Sequence, residues 1–184
     1  MRFNEHSDLA GRHAFLSASK YHWIRYGPDK LAEVFKNAQA ARRGTELHAF
    51  AHHAISLGIK LPSGNQTLNN YVNDALGFRM NTEQVLYYSD NCYGTADAIV
   101  FKDNFLRVHD LKTGADGGSF DQLLIYVALF CLEYGVKPGH IEIELRIYHN
   151  DEIRILVPEL EDVVQVMSTI IRFDHMIENM KEAE

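Results

Sequence analysis

Apolar residues recur at three- and four-residue spacing through two alanine-rich stretches, DKLAEVFKNAQAARR (29–43) and TELHAFAHHAISLG (45–58), the period of helices with one buried stripe. Together with FLSASKYHWIRYG (15–27), they predict two or three helices before residue 60. KLPSGNQT (60–67) reads as a loop from its Pro, Gly and Asn content, and NNYVNDALGFRM (69–80) as a short helix. From residue 83 the period changes. EQVLYYS (83–89), YGTADAIVFK (93–102) and FLRVHDLKT (105–113) are rich in β-branched and aromatic residues, and the Asp103-Asn104 turn predicts an antiparallel meander. SFDQLLIYVALFCLEYG (119–135) reads as a buried helix ended by Gly135. HIEIELRIYHN and EIRILVP form a second strand pair around the turn NDE, and ELEDVVQVMSTIIRFDHMIENMKEAE closes the chain as a surface helix. The order of elements predicts an α/β fold: a central mixed sheet of about five strands flanked by helices.

At 184 residues with 46% hydrophobic residues, the chain is expected to form a single domain, helical over 1–80 and built on the sheet over 81–184. No run of 18 apolar residues suits a membrane helix, and MRFNEHSDLAGRH lacks the apolar core of a signal peptide, so a cytoplasmic location is expected. Cys92 and Cys131 each lie in an apolar run, where a reduced packing thiol is ordinary. The net charge of -7 is unevenly spread. Residues 1–48 hold 8 Lys+Arg against 5 Asp+Glu, while residues 49–184 hold 10 against 20, so any basic face is N-terminal.

Alternation along FLRVHDLK puts Leu106, Val108, Asp110 and Lys112 on one face and Phe105, Arg107, His109 and Leu111 on the other. A carboxylate and an ammonium thus end an apolar row. On the preceding strand, Asp97 is expected to share a face with Ile99 and Phe101, so the two acids converge at one end of the sheet. Two inward carboxylates repel, which requires a shared proton, compensation by Lys112 or a divalent cation. A structural Asp–Lys salt bridge satisfies the same pattern.

The string GTADAIVFKDNFLRVHDLKTG, followed by QLLIY, resembles the motif set of the PD-(D/E)XK nuclease superfamily: an Asp, then Asp-x-Lys, then Gln-x-x-x-Tyr on the next helix. Upstream, RGTELH resembles the first-helix motif of the RecB-type branch, in which a His joins the metal ligands. The resemblance spans residues from about 15 to 135 and implies a restriction-endonuclease-like core. It implies Mg2+ or Mn2+ held by His48, Asp97, Asp110 and the backbone carbonyl of Leu111, with Asp97, Asp110, Lys112, Gln122 and Tyr126 as the catalytic set. Glu46 is the competing first-helix ligand. His52 and His53 are weaker alternatives, because an i,i+4 pair of His48 and His52 forms only half a zinc site. Gln122 and Tyr126 lie one turn apart, opposite Leu124, Val127, Ala128 and Cys131; for Gln122 the alternative is a capping box with Ser119, and for Tyr126 it is core packing.

FLSASKYHWIRYG resembles the N-terminal helix of phage-type exonucleases, which implies phosphate contacts from Ser17, Ser19, Lys20 and Arg25; plain N-capping by either serine is the alternative. Relatives with an iron–sulfur cluster use four flanking cysteines, and this chain has two in all, so no cluster is implied. The implied activity is a metal-dependent deoxyribonuclease, foremost an exonuclease of phage or bacterial recombination and repair. Its implied partners are DNA, further copies of itself in a homo-oligomer and a single-strand annealing protein. A structure-specific endonuclease and an inactive DNA-binding module remain the alternatives.

With the DNA face in the basic third, charge reversal at Lys20, Arg25, Arg42 and Arg43 should weaken DNA binding and lower its salt slope by about one for each phosphate no longer neutralised. A salt titration in which reversal of Arg154, Arg172 and Lys181 has an equal effect would move that face elsewhere.

Overall fold

A computed structural model describes residues 13–183 of the chain. It divides into two compact units, one ending at Arg43 and the other comprising Gly44–Glu184. In the first, a 3-10 helix covers Ala18–Arg25 where an α-helix was expected. Lys20 departs from helical geometry (φ -105°, ψ 41°), which fits a stretch of aromatic and β-branched residues with Pro28 close behind. Locally, Trp23 Nε1 donates to the Ser17 carbonyl at 2.9 Å, and the Phe15 and Phe35 rings meet edge to face.

The two alanine-rich stretches form one continuous helix, α1 (Pro28–Ser56), rather than two. Gly44 lies between them, but one interior glycine costs only about 1 kcal/mol, less than good helix formers on both sides supply. The rest follows the sequence pattern: α2 (Thr67–Phe78), β1 (Asn81–Ser89), β2 (Cys92–Lys102), β3 (Phe105–Leu111), α3 (Phe120–Tyr134), β4 (Glu142–His149), β5 (Glu152–Leu156) and α4 (Leu160–Glu182). The sheet order is β1-β2-β3-β4-β5. All neighbours are antiparallel except β3 and β4, which the α3 crossover makes parallel, so the fold is α/β with a mixed five-stranded sheet flanked by helices.

The turns explain the register. Asp103 and Asn104 (φ 53° and 58°), and Asn150 and Asp151 (φ 48° and 61°), are left-handed pairs, the two-residue hairpin geometry whose twist matches the strands it joins. Gly135, at φ 64°, ends α3 by donating its N–H to the Cys131 carbonyl. Among the described residues no helix is long and apolar enough to cross a membrane.

Both faces of the central strands β3 and β4 are covered. Leu106, Val108, Leu145 and Ile147 pack with α3 and α4, while Ala98, Leu111 and Tyr148 pack with Ala51, Ala54 and Ile55 of α1 and Tyr71, Val72 and Ala75 of α2. Burial on both faces of β3 is what the parallel partner and crossover demand. Cys131 lies in the first core, where burial pushes its thiol up to about 11.

The second face holds a polar network. Tyr148 donates to Asp74 Oδ2 at 2.7 Å and lies 3.2 Å from His109 Nδ1, and Arg146 Nη1 donates to the same Asp74 oxygen. With the Tyr148 proton given to Asp74, His109 donates from Nδ1, and its buried Nε2 has no hydrogen-bond partner. Burial, then the nearby Arg146 and Arg107, lower the His109 pKa to about 3. The folded value lies below the ordinary 6.5, so the unfolded chain binds the extra proton. This contribution to stability is complete above the unfolded pKa and is lost as pH falls from there toward 3. Urea unfolding should therefore show about 2 kcal/mol less stability from His109 at pH 5 than at pH 7, and His109→Leu should flatten that slope. An unchanged slope in the variant would assign the acid sensitivity to other groups.

Candidate metal centre and its cleft

Strict alternation does not survive at the end of the sheet where the acids meet. Ala96 packs in the core under α3, whereas Ala98, two residues on, packs in the core under α1 and α2. The side-chain phase therefore flips at Asp97. On β1 the flip has a backbone cause: Glu83 adopts φ 52°, a left-handed conformation inside a strand, and the pairing of β1 with β2 skips Glu83 and Asp97. Asp97 consequently does not extend the Ile99 and Phe101 row, as alternation predicted. Its carboxylate instead turns toward β3, where Oδ2 accepts the Leu111 N–H at 2.9 Å.

That bond sits where β2 and β3 part. Their ladder ends at Ala98 and His109, and a cleft of about 590 Å³ lies beyond it, lined by His48, Asp97, Asp110, Leu111, Lys112 and Gln122 together with the 113–119 loop. α1 brings His48 Nδ1 to 3.5 Å from Asp97 Oδ2. The α1 backbone comes close because residue 44 is glycine: a Cβ there would lie 2.8 Å from Thr113 Oγ1. The hydrogen bond to Asp97 raises the His48 pKa against the opposing effect of burial.

Asp110 is 2% exposed. Burial, then the negative charge of Asp97, raise its pKa, and Lys112 partly offsets them. Lys112 Nζ lies 3.1 Å from Oδ1 and 3.0 Å from Oδ2, but only Oδ1 is met in hydrogen-bonding geometry, which leaves the buried Oδ2 without a hydrogen bond. The same ammonium donates to Gln122 Oε1 at 2.8 Å, and Gln122 Nε2 donates to the Tyr126 hydroxyl at 2.9 Å. Gly118, at φ 69°, lets the loop lie directly against the Lys112 side chain, where any Cβ would collide with Cε. Lys112 is thus fixed on three sides.

Gln122 does not close a capping box. Ser119 caps α3 by accepting the Asp121 N–H at 3.1 Å, and it donates to Asp121 Oδ2, so Gln122 is left to bind Lys112. Tyr126 packs in the core under α3, 8% exposed with its ring against Gly94 on β2, as its packing alternative has it, while its hydroxyl accepts from Gln122 beside the cleft. α3 is buried around most of its circumference, so a residue opposite Val127 still meets protein.

The residues able to hold a metal ion include one the sequence reading missed. Ligand atoms of His48, Glu83 and Asp97 all lie within 4.8 Å of one another. An octahedral ion holds its opposite ligands about 4.2 Å apart, so binding one here would draw the three groups slightly together. Asp110 faces the same cleft outside this trio, and Leu111 lines it. Glu46 is exposed and outside the trio. His52 binds Thr82 Oγ1 at 2.6 Å and His53 binds the Ala49 carbonyl, so neither joins it. Ser17 occupies the N-cap of the 3-10 helix without a side-chain capping bond, its hydroxyl bonding Ser19 at 2.8 Å. Ser17, Ser19, Lys20, Arg25, Arg42 and Arg43 belong to the unit that ends at Arg43. No protein-family model matches the chain, and no solved structure matches it significantly.

A non-glycine residue at positive φ costs roughly 1 kcal/mol, a strain that a ligand role for Glu83 would explain. Glu83→Gly should therefore hold or raise the melting temperature without metal, while lowering Mn2+ affinity in calorimetry about ten-fold; Glu83→Gln should lower affinity without relieving strain. Parent-like Mn2+ binding in both variants would remove Glu83 from the ligand set.

Proposed function

We infer that the chain is a divalent-metal-dependent deoxyribonuclease of the PD-(D/E)XK kind, foremost an exonuclease, with a restriction-endonuclease-like core. The observation that carries this reading is the convergence of His48, Asp97, Asp110 and Lys112, from three separate elements, on one cleft. A salt bridge needed only for stability would account for Asp110 and Lys112. It would not account for an imidazole and a second carboxylate beside them.

The donor set of one imidazole and carboxylate oxygens fits Mg2+ or Mn2+, and the nitrogen tilts the preference toward Mn2+. A bound ion would supply a more acidic water and neutralise charge on the phosphoryl oxygens. The protein's own groups do the rest. Asp97, oriented by the Leu111 N–H, and His48, oriented by Asp97, keep their donor atoms aimed into the cleft. Lys112, braced by Asp110 and Gln122, presents an ammonium where the attacking water or the five-coordinate phosphorus would carry negative charge. Tyr126 holds Gln122 in the orientation that accepts from Lys112.

End-labelled linear DNA should be degraded with Mn2+ at least as well as with Mg2+, circular DNA should be spared, and Ca2+ should allow binding with little cleavage. Asp110→Asn and Lys112→Ala should each lower the rate by about a hundred-fold or more with the circular dichroism spectrum unchanged. Undiminished cleavage in either variant would overturn the assignment. Unfolding of both Asp110→Ala and Lys112→Ala would favour the salt-bridge alternative, because breaking a buried pair costs about 3–5 kcal/mol.

A further inference from the structure

The β1–β2 hairpin carries an aromatic surface that the cleft does not use. On the hairpin side of the break at Glu83 and Asp97, Leu86, Tyr88 and Ala96 turn toward α3. Val85, Tyr87, Tyr93 and Thr95 turn the other way and are exposed. Tyr87 and Tyr93 are direct cross-strand partners. Their rings stack with centroids 6.4 Å apart and planes 25° from parallel, and they are 45% and 64% exposed. The Tyr87 hydroxyl donates to Asp90 Oδ1 at 2.9 Å, which anchors the ring by its tip and leaves its face open.

This surface begins where the helical cover stops. On this side of the sheet, cover from α1 reaches Thr82 through His52, and Ala98 packs in the core formed with α1 and α2. Asp97 stands at the boundary. Asp97 lies four residue steps along β2 from Tyr93, about 13 Å at the usual strand rise, so the platform and the cleft share one strand.

We propose that Tyr87 and Tyr93 form a stacking platform for unpaired bases of a single-stranded nucleic acid whose backbone runs on to the Asp97 end of the cleft. The proposal rests on the nuclease reading of that cleft and names its substrate as a single strand. Bases within a duplex present only their edges outward, whereas an unpaired base offers a whole π face, which is what an exposed tyrosine ring recognises. The Asp90 carboxylate at the Tyr87 hydroxyl repels phosphates, so this end of the surface suits bases rather than backbone. Two paired tyrosines with Val85 and Thr95 beside them are also too small a patch for a stable protein partner, which needs about 800 Å² per side.

The test uses the full chain with Ca2+ and a single-stranded DNA oligonucleotide carrying 2-aminopurine, whose fluorescence falls on stacking. Tyr87→Ala and Tyr93→Ala should each weaken single-strand binding roughly ten-fold, and the double variant should abolish the quenching. Tyr93→Trp should retain it, and binding of the matching duplex should not change. With Mn2+ in place of Ca2+, the alanine variants should raise KM for the single strand and leave kcat and Mn2+ affinity near the parent values. Both side chains are exposed, so melting temperatures should stay within a few degrees of the parent. Equal single-strand binding in all variants would overturn the platform, even if every variant still cleaves DNA and the nuclease reading stands. Tyrosine-dependent binding by a protein that cleaves no nucleic acid would support the platform and overturn the nuclease reading. Tyrosine-dependent association with a protein, and none with the oligonucleotide, would also overturn the platform.

Discussion

The arrangement of the cleft depends on one hydrogen bond, from the Leu111 N–H to Asp97 Oδ2. Leu111 is 1% exposed at the last position of β3, and a backbone donor buried there must find an acceptor. β2 no longer supplies one, because its ladder with β3 ends at Ala98 and His109. The Asp97 carboxylate takes over the role of a strand carbonyl. In doing so it holds the two strands a side chain's length apart, and the opening this creates is the cleft. A neutral side chain could accept the same bond, but it would not leave a carboxylate charge at the junction for His48 to meet.

His48 and Lys112 are each placed beside a glycine that lets the chain pack closely. Gly44 lets α1 pass against Thr113, and one helical turn later His48 reaches Asp97, while Ala51, Ala54 and Ile55 fasten the same helix to the core. Gly118 does the same for Lys112 by letting the loop close over its methylenes. That loop is itself tied down, since the Arg154 guanidinium donates to the Gly117 and Gly118 carbonyls and His149 Nε2 meets the Gly114 carbonyl at 3.0 Å. Binding groups are thereby placed by regular elements on one side and by a pinned loop on the other. Such support limits the freedom a site would otherwise lose on binding.

The chain announces its regular elements clearly because periodicity, turn pairs and the glycine stop at 135 all agree. The same periodicity misleads at the site. Counting by twos along β2 puts Asp97 with Ile99, and counting along β1 gives no reason to single out Glu83. Both errors come from one event, the flip of side-chain phase at Glu83 and Asp97, which leaves no mark in composition because a left-handed glutamate looks like any other. The available clue was register. If Tyr87 pairs with Tyr93, Glu83 must face Asp97 across the strands, and two acids opposed on neighbouring strands are unfavourable unless a cation intervenes. The role of Gln122 was equally ambiguous, since a serine three residues ahead predicts capping, and only the position of Lys112 decides which partner it takes.

Charge makes the last connection. Asp97, Asp110 and Asp116 line the cleft and Glu83 stands beside Asp97 and His48, four carboxylates against the ammonium of Lys112 and the imidazole of His48. With the imidazole neutral, as a metal ligand must be, the formal charges sum to minus three, and a phosphodiester would add a further negative charge. Such a cleft repels the substrate it is proposed to take, and the whole chain, at -7, does nothing to relieve this. A divalent cation would offset most of that charge and place a positive centre where the phosphate oxygens approach. On the nuclease reading, metal and phosphate therefore bind cooperatively, each lowering the electrostatic cost of the other. On the same reading, the acidic balance of the cleft makes phosphate binding there depend on the metal, with Lys112 the one ammonium to assist it.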